Sequence, residues 1–320
     1  MMSTHVKFLA IIFLFVETVN SQQLHLNPML YLDSYMANQS TAGLRGVKVI
    51  SAIYRSQWEK QSFTPRIFAA HFTSPIKSIK GAYGLTFYNR SHGVMDHNGV
   101  KTSYNQVFAG KDVLSSVGLG IQYDWLTLDY SSIRTPEGTY IGSVISHNDP
   151  ILNQLKLSQQ ALSLNFSYYL QSYIIDAGVE VGLPFAHIRP SGARIITSEK
   201  ILKIVLHKEY LYNSWMISGS FYNFSDFKVN QEELRADIRY KNQFGSGFMW
   251  RGFRKNSLDA IGTQFSFNLM GTTWLSYQIE WPLFSSVSRS YGITQQFGLK
   301  FDLKAKDPLS RYPIIYNPRW

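Results

Sequence analysis

The sequence predicts an all-β transmembrane barrel of the outer-membrane type, built from about 14 antiparallel strands. Three observations carry that expectation. Apolar residues recur at every second position over long runs, charge is scarce while aromatics are abundant, and a secretory leader precedes the whole.

The two-residue period comes first, because successive strand side chains point to opposite faces. Leu162, Leu164, Phe166, Tyr168 and Leu170 share one face, with Ser163, Asn165 and Ser167 on the other. In Tyr173 to Leu183 the apolar set is Tyr173, Ile175, Ala177, Val179, Val181 and Leu183, alternating with Asp176, Gly178, Glu180 and Gly182. Leu234, Ala236, Ile238 and Tyr240 alternate with Arg235, Asp237 and Arg239, and Leu275, Tyr277, Ile279, Trp281 and Leu283 with Ser276, Gln278 and Glu280. Many of these runs approach the 9 to 11 residues, roughly, that a tilted strand needs to cross a bilayer. Ions on the polar face suit a barrel interior, so Asp176 and Glu180 are expected inside, with Ile175, Val179 and Val181 towards lipid. In lipid every backbone group must pair internally, which forces such strands to close without edges.

Fifteen runs have the period, among them Thr102–Gly110, Val117–Tyr123 and Leu126–Ile133. Single-chain bacterial barrels have even strand numbers, so fourteen is expected, with the weak run at Thr102–Gly110 read as a loop. Thr135–Leu157 and Ser191–Lys200 are the other loop candidates, on Pro136, Gly138, Asp149, Pro150 and Pro190. Both ends of the chain are expected on the periplasmic side.

Composition agrees. Charged residues are 16% of the 320, against about 25% in ordinary soluble domains, while 20 Tyr, 21 Phe and 7 Trp bring aromatics to 15%. A large globule so composed lacks polar surface to cover itself, whereas the lipid face of a barrel requires apolar and aromatic side chains. There is no cysteine, which excludes disulfides, thiolate metal sites and a lipidated N-terminal Cys. The formal charge of +10 points to anionic lipid or acidic partners. The basic residues are spread along the chain and form no single patch, so nucleic acid is not expected as a partner.

Lys7, the nine-residue apolar run Phe8 to Val16, and small Val19 and Ser21 give residues 1–21 the form of a cleaved signal peptide. That run is too short for a helical span, which takes about 20 apolar residues. The barrel is then expected over 22–303. Gln296-Phe-Gly298-Leu-Lys-Phe301-Asp-Leu303 resembles the closing-strand assembly signal of outer-membrane barrels, and residues 304–320 continue beyond it. That tail has Lys304, Lys306, Arg311 and Arg319 against Asp307, and Pro308, Pro313 and Pro318 argue against regular structure. Arg311, Tyr312, Tyr316 and Trp320 are its candidate docking residues in the periplasm, as basic and aromatic anchors.

No G-x-S-x-G elbow occurs, and His92, His97 and Asp96 fall in a turn-like stretch without zinc-ligand spacing. Gly118 and Gly120 lie within a strand and open no helix, so no dinucleotide loop is implied. Neither catalysis nor a cofactor is expected.

Two stretches go beyond a generic barrel. Tyr35-Met-Ala-Asn38-Gln-Ser-Thr-Ala-Gly43-Leu-Arg-Gly46 leads into Ala52-Ile-Tyr54-Arg55-Ser-Gln57-Trp58, with Pro65 seven residues on, and Asp259-Ala-Ile-Gly262 through Trp274, Tyr277 and Tyr291 leads to Phe301. They resemble the first and last strands of the PorP/SprF family of type IX secretion outer-membrane proteins. Asn38-Gln-Ser-Thr-Ala-Gly43 departs from that family's turn in lacking Pro and Tyr. The resemblance implies a non-enzymatic component that helps export or anchor proteins with C-terminal sorting domains. Its implied partners are secreted cargo, periplasmic ring-motor components or a peptidoglycan-linked lipoprotein. Tyr54, Arg55, Gln57 and Trp58 are the candidate contact residues. Alternation puts Arg55 and Gln57 on one strand face, for an interior polar network, and Tyr54 and Trp58 on the other. A passive porin or hydrophobic-substrate channel, with the same composition and period, is the rival reading.

Overall fold

The computed structural model describes residues 32–60, 64–110, 113–141, 144–148, 156–188, 200–252, 260–283 and 292–303. The expected signal peptide at 1–21, the expected loop at Ser191–Lys200 except Lys200 itself, and residues 304–320 lie outside them. The chain forms β1 (Lys48–Ser56), β2 (Arg66–Ile76), β3 (Gly81–His92), β4 (Met95–Ala109), β5 (Val113–Asp129), β6 (Thr139–Ile141), β7 (Val144–Ser146) and β8 (Lys156–Ser172). It continues as β9 (Asp176–Ile188), β10 (Ile201–Tyr212), β11 (Trp215–Ser225), β12 (Asn230–Tyr240), β13 (Phe244–Arg251), β14 (Ala260–Leu269), β15 (Thr273–Pro282) and β16 (Thr294–Leu303). Fourteen of these close an antiparallel barrel in chain order, and β6 and β7 pair apart as a hairpin within the longest loop. β1 closes on β16 from Lys48↔Leu303 to Ser56↔Gln295, so every wall strand has a neighbour on each side.

The count of fourteen holds, but the reason differs from expectation. Thr102–Gly110 is no loop: all of it but Gly110 falls in the 15-residue β4. Its period was weak because polar residues interrupt both faces: Thr102 and Gln106 alternate with exposed Tyr104 and Phe108 outside, and Lys101, Ser103 and Asn105 precede Val107 inside. The extra run comes from β5, a single 17-residue strand that read as two. Val117, Leu119 and Ile121 face outward, and then the apolar phase inverts, with Leu126 and Leu128 turned inward. The inversion is caused by a small apolar cluster of Leu128, Tyr130 and Leu157 under the loop that follows. That loop, expected over Thr135–Leu157, contains the β6–β7 hairpin and ends where β8 starts at Lys156. Tyr173 belongs to the turn before β9 and not to the strand.

The faces match the period. Asp176 and Glu180 are buried inside, and Ile175 and Val179 are exposed outside. At the end holding Lys48 and Leu303, connections are two to four residues long; at the other they reach 26. Short turns mark the periplasmic rim and long loops the outer one, which places the first and last strands with their termini in the periplasm.

Candidate functional site

The barrel interior is occupied by the chain's own start. From Leu32, α1 (Ser34–Ala37) and a 3-10 turn (Gln39–Thr41) lie inside the wall, with Asn38, Gln39 and Ser40 fully buried. Short polar residues bend this stretch by capping it. Asp33 Oδ1 accepts from Tyr35 N at 3.0 Å, and Asn38 Oδ1 accepts from Ser40 N at 2.8 Å. Thr41 Oγ1 donates to Asn38 O at 2.9 Å. Left-handed Gly43 and Gly46, at φ of 69° and 71°, then turn the chain into β1.

This plug bonds to the wall mainly through side chains. Asn38 Nδ2 donates to Tyr168 O at 3.1 Å and Val179 O at 3.0 Å, bridging β8 and β9. Gln39 donates through its backbone N to Glu180 Oε2 at 2.8 Å and through Nε2 to Asn165 O at 2.9 Å. Ser40 Oγ meets Ser167 Oγ at 2.5 Å, and Tyr35 OH meets Ser103 Oγ at 2.8 Å. Asn105 Nδ2 reaches Ser40 O and Ala42 O, and Ser51 Oγ donates to Asp33 Oδ2 at 2.7 Å. Gly120 and Gly84 leave the room: a Cβ at Gly120 would stand 2.5 Å from Gln39 Oε1, and one at Gly84 would strike the Tyr35 ring.

Wall side chains fill another part of the interior with a ladder of ions on β1, β12, β13 and β15. Arg55 holds Glu280 in a two-bond fork at 2.8 and 3.0 Å. Arg251 bridges Glu280 at 2.8 Å and Glu233 at 2.9 Å, and Arg235 takes Glu233 at 2.8 Å. Gln278 donates to Glu280 at 2.7 Å, and Gln296 and Gln264 bond to Glu280 and Arg235. Three cations thus face Glu280, Glu233 and, at 4.0 Å from Arg235, Asp237, so the buried charge is compensated. On the opposite wall Glu180 accepts from Lys101 at 2.7 Å and Lys203 at 3.2 Å, besides the plug's Gln39. His97 Nε2 lies 3.1 Å from Asp124 Oδ1, which also accepts from Tyr88.

Of the residues singled out in the sequence, Arg55 does enter an interior network, where it is 1% exposed and lies one residue from the outer end of β1. Tyr54 faces outward between Phe297 and Phe68. Gln57 and Trp58 do not continue the alternation. β1 ends at Ser56, Gln57 N bonds to Pro65 O at 2.9 Å, and Trp58 takes a left-handed φ of 59°. The four therefore do not form one site. Arg311, Tyr312, Tyr316 and Trp320 lie outside the described residues. The plug contacts at Asn105, Asn165, Ser167 and Glu180 escaped sequence reasoning. Their one signal was the inward pair Gly118 and Gly120, small residues where a barrel wall needs to admit something.

A closed wall with an apolar outer face, a polar inner face, short turns at one rim and long loops at the other defines an outer-membrane β-barrel. The model of the type IX secretion system membrane protein PorP/SprF matches residues 18–301, and the chain belongs to that family. No curated protein matches the sequence. Among solved structures, the Acinetobacter baumannii outer membrane protein Omp33 aligns over 82% of this chain and 100% of its own, at 10% identity and TM-score 0.46. The TodX monoaromatic hydrocarbon channel aligns over 81% and 90%, at 6% identity and TM-score 0.42. The KdgM porin aligns over 80% and 99%, at 9% identity and TM-score 0.36.

Proposed function

We propose that this chain supports export or surface anchoring of proteins with C-terminal sorting domains, as a non-enzymatic part of the type IX machinery. In this reading it binds cargo at the outer rim, ring-motor components or a peptidoglycan-linked lipoprotein at the periplasmic rim, or both. The family supports the first half of that statement. The filled interior supports the second: Gln39, Asn38, Arg55, Glu280 and Gln296 are almost wholly buried, whereas the lining of a wet pore is hydrated. A barrel stoppered by its own chain and an ion ladder works at its rims, which argues against the passive-porin reading. The periplasmic contact is assigned to the tail through Arg311, Tyr312, Tyr316 and Trp320, whose net charge of +3 over 304–320 suits an acidic protein surface.

Deleting the gene and complementing it with the full chain or with a chain ending at Leu303 tests this. Loss of sorting-domain cargo from the surface, with small-solute uptake unchanged and no rescue by the shortened chain, is expected. Normal export in the deletion strain would refute the function, and full rescue by the shortened chain would refute the role of the tail.

A further inference from the structure

The plug differs from the rest of the interior in how it is held. The wall ladder closes around it, β1 to β16, without using any plug backbone group as a strand partner. Its withdrawal therefore breaks no wall pairing. The bonds it would give up go to Asn165 O, Tyr168 O, Val179 O, Ser51, Ser167, Ser103, Asn105 and Glu180. Water can satisfy each of these groups, so exposing them costs far less than exposing an apolar core of the same size. Its apolar anchors are few: Leu32 and Met36 pack on Ile53 and Trp274, Tyr35 and Ala42 on Ala82, and Ala37 and Leu44 join a third cluster. Gly43 and Gly46, both left-handed, lie between residues 33–42 and β1, where a hinge is needed, and a swing about them also withdraws Leu44 and breaks the fork between Arg45 and Asp302.

We infer that residues 33–42 form a withdrawable plug that swings about Gly43 and Gly46 and uncovers a polar, peptide-sized slot in the wall. The slot is lined by β4, β5, β8 and β9. Its chemistry is set by the segment that fills it: exposed strand carbonyls accept side-chain amides, small hydroxyls match a serine, and Glu180 receives a backbone N–H. A ligand of the same chemistry is a short peptide rich in Asn, Gln and Ser. The inference that withdrawal accompanies export rests on the secretion reading above; that the plug opens at all does not.

The chain has no cysteine, so one engineered pair can lock the plug cleanly. Ser40→Cys with Ser167→Cys replaces two hydroxyls 2.5 Å apart, near enough for sulfurs to close a bond of about 2.05 Å. Two measurements on the full chain then decide. Hydrogen exchange of the unmodified protein is expected to show amides 33–42 exchanging as a unit at least tenfold faster than the paired amides of β5 and β8. In cells, the oxidised double variant is expected to assemble and keep its heat-modifiable gel shift but lose cargo export, with export restored by reductant. Exchange of the plug only together with the wall overturns the inference that it opens. Fast plug exchange with normal export by the locked protein overturns its link to export. Failure of the deletion strain to lose cargo would sink the secretion reading and leave the exchange result standing.

Discussion

Replacing Arg55 with alanine removes one end of the interior ladder, and the structure sets the size of the effect. The Arg55 and Glu280 side chains are 2% and 1% exposed and joined by two bonds. Breaking a buried pair by removing one partner costs roughly 3–5 kcal/mol, because the remaining charge stays desolvated. Glu280 keeps Arg251 and Gln278, which puts Arg55→Ala at the lower end, about 3 kcal/mol. Arg45→Ala is the internal control: its pair with Asp302, at 2.8 Å, is 28% and 13% exposed, and solvent screening reduces it to about 1 kcal/mol or less. Urea unfolding in lipid vesicles, followed by tryptophan fluorescence, compares the two variants with the parent chain. The ladder also predicts that Arg55→Lys recovers only part of the loss, since an ammonium cannot make the fork. Equal effects of Arg55→Ala and Arg45→Ala, or a change below about 1 kcal/mol at Arg55, would refute the reasoning.

Val179 faces lipid on β9, so Val179→Arg should destabilise the barrel by about 2–4 kcal/mol if it lies near the bilayer midplane, read by the same unfolding curves. Little or no loss would show that its side chain does not meet hydrocarbon. The orientation is tested by single cysteines in this cysteine-free chain. Ile141→Cys, in the β6–β7 hairpin, should label with a membrane-impermeant maleimide on intact cells, and Met270→Cys, in a short turn, only after permeabilisation. The reverse pattern would invert the barrel.

Much of this architecture was legible because a barrel wall imposes a strict two-residue period on long strands. The placement of Asp176 and Glu180 inside and of Ile175 and Val179 outside needed only that rule. The rule failed where a third body touches the wall. β5 inverts its apolar phase at Leu126 because a cluster under the outer loop replaces hydrated interior there. β4 shows the period only weakly, because Thr102 and Gln106 interrupt its outer face between Tyr104 and Phe108 while Lys101, Ser103 and Asn105 line the inner one. The plug has no period at all. Its bends come from Asp33 and Asn38 caps, and its position from bonds to residues more than sixty positions away, such as Ser103 and Val179. Arg55 was legible as an interior charge, but Gln57 and Trp58 were not placed correctly, because the sequence does not show where β1 stops.

The account turns on a barrel that is filled and works at its rims. Single-channel recording of the full-length protein in planar bilayers tests that most directly. With the plug seated and the ladder intact, the baseline is expected to stay silent, with no steps of the size that an open porin gives. Stable, large, voltage-independent conductance steps from the unmodified chain would contradict it and return the passive-channel reading to first place.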